Sequence, residues 1–138
     1  MQSKETSHHK WELTIIEILN SDGWKLHPSW TKTEHYDAIG KTPKGFNCVM
    51  ELKLRHKYYP TKVLEVYKYE KLMEIKDCLK FYYVFDIKGN YLYFLDTLYL
   101  AEPVIINCKT TEKFSNDKLI DKTCYMLLES QASIINKY

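Results

Sequence analysis

A chain of 138 residues, 45% of them apolar, is long enough to bury one core and too apolar to be a disordered chain. Its formal net charge of +2 favours no class of partner, so the placement of charge has to carry that question. No apolar run approaches the roughly 20 residues of a membrane-spanning helix, and Met1 to Thr6 lacks the apolar stretch of a signal peptide, so a cytoplasmic protein without a membrane partner is expected.

Residues 1–9 are polar and are expected to form a flexible tail, with His8 and His9 as tail residues rather than metal ligands. Residues 10–138 then form a single domain. The spacing predicts a helix over 10–20, because Trp11, Ile15, Ile18 and Leu19 recur at i, i+4, i+7 and i+8. Gly23 is its natural stop. Strands are expected over 24–30, interrupted by Pro28, and over 34–39. Residues 40–45 are turn-like, and Gly40-Lys41-Thr42 is no phosphate loop, since the upstream glycine is missing.

Residues 46–54 make the clearest strand. A second helix is expected over 61–79, where Leu64, Leu72, Ile75 and Leu79 form a stripe with Lys68 inside it. Strands over 81–87 and 91–95 are joined by Lys88-Gly89-Asn90 as a tight hairpin loop. Residues 97–121 give no clear pattern. A last strand over 123–128 precedes a short polar tail. This order predicts a single α/β domain with a central mixed β-sheet flanked by helices. Cys48, Cys78, Cys108 and Cys124 form no CxxC pair, so reduced thiols are a simpler reading than a zinc cluster. Arg55 is the one arginine among 20 basic residues; with abundant Tyr, Ile and Asn this fits an AT-rich genome, bacterial or phage, and hence a bacterial cell or phage-infected host.

Chemistry concentrates on the strand over 46–54. Strand side chains alternate in direction, so Cys48, Met50, Leu52 and Leu54 share one face, and Glu51 and Lys53 share the other. A hairpin would bring Asp37 beside Glu51. Two carboxylates and a lysine suit Mg²⁺ or Mn²⁺, a hard cation that takes oxygen ligands and keeps several waters. Such an ion polarises a phosphodiester and acidifies water, and a lysine stabilises the charge that develops. The competing reading is a surface Glu–Lys pair with an unrelated aspartate.

Asp37 followed by Glu51-Leu52-Lys53 resembles the signature of the PD-(D/E)XK nuclease superfamily, with Tyr36 in place of the name-giving proline. The element order over roughly 10–96 is similar too, and size and spacing resemble the small archaeal-type Holliday junction resolvases. The resemblance implies an αβββαβ restriction-endonuclease-like core. It implies a divalent-metal-dependent endonuclease acting on DNA, branched DNA in particular, as a homodimer presenting two sites to a two-fold symmetric substrate. It places the metal on Asp37, Glu51 and the Leu52 backbone carbonyl, gives Lys53 the catalytic lysine role, and adds a glutamate from the first helix. On a helical wheel Glu12 falls inside the apolar arc and Glu17 opposite it, which favours Glu12.

Lys68 either reaches the scissile phosphate, pairs with Glu51, or packs its stem while its ammonium reaches water. Arg55, Lys57, Lys62 and Lys71, interleaved with tyrosines, are a candidate DNA-binding surface, set against the ordinary solvated face of a lysine-rich helix. His35 is expected to face away from Asp37. Two other functions stay open: an RNA endonuclease or nonspecific nickase with the same site, and a catalytically silent nucleic-acid-binding or interaction module.

Overall fold

The structure, a computed structural model, describes residues 7–31, 34–109 and 119–138, without the side chains of Cys108, Lys109 and Leu119. Helix α1 (Ser7–Ser21) buries Glu12, Ile15, Ile16 and Leu19, the stripe of a helix with one inward face. Ile18, expected on that face, is 53% exposed because it lies roughly 110° around the helix from the centre of the stripe. Ser7, His8 and His9 are helical rather than tail; residues 1–6 lie outside the described residues. Gly23 ends the helix with φ 102°, a left-handed conformation that glycine adopts without penalty. Among the described residues no helix is long and apolar enough to cross a membrane.

Strands β1 (Lys25–Pro28), β2 (Ala38–Lys41) and β3 (Asn47–Leu54) follow as an antiparallel meander. Both early strands are shorter than expected, and β2 starts only at Ala38. Gly40 allows the close pairing of β1 and β2: a Cβ there would lie 1.8 Å from the Lys25 carbonyl oxygen.

The helix expected over 61–79 is instead a strand, β4 (Thr61–Glu65), followed by the short helix α2 (Val66–Met73). Lys62 and Leu64 are buried while Thr61, Val63 and Glu65 are half-buried, an alternation of period two. A ladder with β8 (Leu119–Leu128) overrides the helical spacing. Leu64 and Leu72 do share a core, but from a strand and a helix.

Strands β5 (Leu79–Phe85) and β6 (Gly89–Phe94) form the expected hairpin with its turn shifted to Asp86-Ile87-Lys88. Asp86 Oδ1 accepts the Lys88 and Gly89 N–H groups at 2.8 and 3.1 Å, so its side chain builds the turn. Within the unassigned stretch 97–121, β7 (Val104–Lys109) pairs β8; residues 110–118 lie outside the described residues. The C-terminal segment is not simply a tail: β9 (Ile134–Lys137) pairs β6 at the sheet edge.

The result is a single α/β domain with a mixed six-stranded sheet, β1-β2-β3-β5-β6-β9, and a second, three-stranded sheet, β4-β8-β7. The β3–β5 pair is parallel, and β4 with α2 makes the crossover that a parallel pair requires. Helix α1 packs Ile15, Ile16 and Leu19 on one face of the main sheet against Met50, Leu52 and Phe81. The other face packs Val49, Tyr82 and Val84 against Leu64, Leu72 and Leu127 of α2 and the second sheet. The site lies beside the second half of β3, which the short β2 leaves uncovered, where these two layers meet.

Candidate active site

The pleat of β3 does what its sequence implies: Cys48, Met50 and Leu52 face the α1 core, and Glu51 faces the other layer. Asp37 sits immediately before β2. Its N–H donates to the Met50 carbonyl at 2.9 Å, and its Oδ2 accepts the Leu52 N–H at 2.8 Å. The carboxylate thus takes the place of the next backbone rung and fixes Asp37 beside Glu51. A strand residue points its N–H and C=O to the same edge, so the Leu52 carbonyl also faces the side where β2 has ended.

Glu12 arrives from the opposite layer on α1 and is 2% exposed, whereas Glu17 is exposed. Trp30 Nε1–H donates to Glu12 Oε1 at 3.2 Å. Glu12 Oε2 is buried without a hydrogen bond, and His8 Nε2 lies 3.3 Å from it. Burial, and then the Asp37 charge, push the Glu12 carboxyl up to about 7. The same two causes hold Glu51 well above the usual carboxylate range, offset in part by Lys68 and Lys53. Lys53 is half-buried, and burial, Arg55 and Lys68 lower its ammonium below the ordinary lysine value. Three acidic groups are therefore strung through Asp37 with too little positive charge among them.

Lys53 lines an adjoining cavity, while Glu12, Asp37, Glu51 and Lys68 line one cleft of about 300 Å³. Its wall also holds residues that sequence reading had set aside or missed. His9 stacks on Trp30 at 4.4 Å, and His35, exposed in the loop before β2, meets Tyr67 edge-on at 6.1 Å. His35 lines the same cleft as Asp37 and is not on a strand. Extending α1 by one turn would have found His8, which is one helical turn before Glu12.

The donor chemistry fits a hard divalent cation: carboxylates, a strand carbonyl and a buried carboxylate oxygen lacking a hydrogen bond. The cage is not preassembled, since among the described residues no three His, Cys, Asp or Glu side chains close around one point. Mg²⁺ does not need such a cage; one or two carboxylates plus water and substrate oxygens suffice.

Lys68 Nζ is 3.8 Å from Glu51 Oε1 and its side chain is 41% exposed, so it partly pairs and partly reaches water. Arg55 and Lys57 line a second, adjoining cavity, described further below. Lys62 contradicts its expected role as a surface phosphate contact. It is 3% exposed and ion-paired with Asp86 at 2.7 Å, because β4 turns it inward. Lys71 is half-buried and lies 3.7 Å from Glu74 on α2.

The sequence matches no protein-family model and no curated protein sequence. The fold is similar to that of a solved Holliday junction resolvase, Hjc, from the archaeal hyperthermophile Archaeoglobus fulgidus. The TM-score is 0.63 at 10% identity, covering 96% of this chain and 92% of that one. At that identity the likeness shows the fold.

Proposed function

We propose that this protein is a divalent-metal-dependent endonuclease that hydrolyses phosphodiester bonds in branched DNA. The carrying observation is that Glu12, Asp37 and Glu51 line one cleft, with Lys53 beside Glu51 in the adjoining cavity, on a fold shared with a Holliday junction resolvase. Asp37, Glu51, Glu12 and the Leu52 carbonyl would hold Mg²⁺ or Mn²⁺, which supplies Lewis-acid charge at the phosphodiester and acidifies water. Lys53 shares the Glu51 face of β3; its ammonium stabilises charge growing on the phosphate and orients water. Lys68 reaches towards Glu51 from α2, 3.8 Å away, and is free to turn to a phosphate. A homodimer would present two such sites to a two-fold symmetric junction.

The test is cleavage of single-stranded, duplex, nicked and four-way DNA, and of RNA, with Mg²⁺ or Mn²⁺. Cleavage confined to four-way or nicked DNA supports the reading; cleavage of RNA alone, or of none of them, removes it.

Glu12 and Glu17 give a separate test of the site. Glu12→Gln will weaken Mn²⁺ binding by at least about tenfold and slow cleavage in proportion, as loss of metal-site support does. Glu17→Gln, on the exposed face of α1, will change neither. Calorimetric Mn²⁺ titration of both variants decides, and equal small effects would remove the helix glutamate from the site.

A further inference from the structure

The second cavity, of about 340 Å³, lies between the two sheets. Its floor is the Glu51–Lys53 face of β3 with Tyr82 and Val84 of β5; β4, β7 and β8 form the facing wall. It joins the carboxylate cleft directly, because Glu51 and Lys68 line both. Its lining holds six cationic side chains against three carboxylates. All three carboxylates have a partner within the protein: Asp86 has Lys62 at 2.7 Å, Glu65 has Lys122 at 2.6 Å, and Glu51 has Lys68 at 3.8 Å. Lys53, Arg55 and Lys57 have no ion-pair partner among the described residues, and they follow one another at every second position away from Glu51. Tyr59 lines the same space with 51% of its surface exposed. Its backbone is held there by the buried Lys62, whose ammonium donates to the Tyr59 carbonyl at 2.7 Å.

A row of cations without an ion-pair partner among the described residues, leading from the proposed cleavage centre, asks for successive phosphates. The space is that of a small-ligand pocket and is enclosed by two sheets, so a stacked double helix does not enter it. An unpaired strand does, with a base free to stack on an exposed aromatic ring. We infer that this inter-sheet groove binds a single, unpaired nucleic-acid strand, with Lys53, Arg55 and Lys57 along its phosphates and Tyr59 as a stacking platform. The inference rests on the nuclease reading for its direction, since it carries the strand that runs on from the cleavage centre. It gives the second sheet a function: that sheet is the wall that turns an open basic surface into a groove for one strand.

The experiment is fluorescence anisotropy in EDTA, so that neither metal nor cleavage enters. The probes are a labelled ten-nucleotide oligothymidylate and a labelled duplex of equal length. Wild type will bind the single strand more tightly than the duplex. Arg55→Glu with Lys57→Glu will weaken single-strand binding at least tenfold and flatten its log–log salt dependence by about 1.4, two phosphates at about 0.7 each. Tyr59→Ala will weaken it about tenfold with the salt dependence unchanged, the signature of lost stacking. Lys41→Glu with Lys44→Glu, the same charge change at exposed positions around the β2–β3 turn, will cost less than threefold. Equal losses from the two charge-reversed pairs, tighter duplex binding, or no single-strand binding at low salt would each overturn the groove. Mn²⁺ titration of wild type alongside separates the two failures: bound Mn²⁺ with an indifferent groove leaves the nuclease reading standing, and a working groove without Mn²⁺ binding leaves the groove without a nuclease.

Discussion

Asp37→Asn and Glu51→Gln will each slow Mg²⁺-dependent cleavage by roughly 10³-fold or more while leaving the protein folded, the scale expected when several kcal/mol of charge stabilisation is lost. The geometry explains why the fold survives. The Asp37 side chain replaces a backbone rung by accepting the Leu52 N–H, and an asparagine carbonyl oxygen can accept it too. Glu51 is buried next to the Asp37 charge, which raises its pKa, and its pair with the half-exposed Lys68 contributes little. Glu51→Gln removes a buried charge at odds with its neighbour, so the metal-free variant will melt at or above wild type, by up to about 5 °C for a relief of about 1 kcal/mol. Lys53→Met separates the roles. Its cleavage will fall about 10²–10³-fold, the usual cost of losing one charge-stabilising donor, with Mn²⁺ affinity within twofold of wild type because lysine is no ligand. Single-turnover cleavage, calorimetric Mn²⁺ titration and thermal melts measure these quantities. Near-normal cleavage by Glu51→Gln, or lost Mn²⁺ binding in a folded Lys53→Met, would undo the assignment.

The second large effect concerns stability. Lys62 and Asp86 form an ion pair with both side chains almost wholly buried, and the Lys62 ammonium also lies over the Tyr91 and Tyr58 rings at 4.1 and 4.5 Å. Removing one partner of a buried pair leaves the other charge uncompensated and costs about 3–5 kcal/mol. The two partners are not equivalent. Lys62→Met leaves Asp86 with the Lys88 and Gly89 N–H donors on Oδ1, which soften the loss to about 3 kcal/mol. Asp86→Ala leaves the buried ammonium only the Tyr59 carbonyl and two ring faces, and also dismantles the β5–β6 turn, and will cost about 4–5 kcal/mol. That is a large fraction of the roughly 5–15 kcal/mol that stabilises an ordinary domain. The double variant Lys62→Met with Asp86→Asn will recover part of the loss, since no buried charge remains. Urea unfolding at constant slope measures all three. A Lys62→Met variant as stable as wild type but weaker in DNA binding would return Lys62 to the surface role its sequence neighbourhood suggested.

Local spacing alone was enough for β3: its alternation puts Glu51 and Lys53 on one face whatever the rest of the chain does. It was nearly enough for α1, where the wheel separates buried Glu12 from exposed Glu17, and the error on Ile18 came from drawing the apolar arc too wide. The juxtaposition of Asp37 with Glu51 was legible because a short antiparallel connection leaves few other registers.

The sequence by itself determined the α/β class and the helix and strand that carry Glu12, Glu51 and Lys53, because those depend on periods of two and 3.6 residues within one segment. Tertiary structure decided the rest. Thr61 to Glu65 has a spacing that serves helix or strand, and only the partner strand β8, more than fifty residues later, selects the strand and turns Lys62 inward onto Asp86. Strand β9 shows no burial pattern at all, all four residues being exposed, so only its ladder with β6 makes it a strand. The inter-sheet groove could not be read from the chain for the same reason: its walls come from β3, β4, β5, β7 and β8, and no local pattern records which distant segments face each other across a cavity.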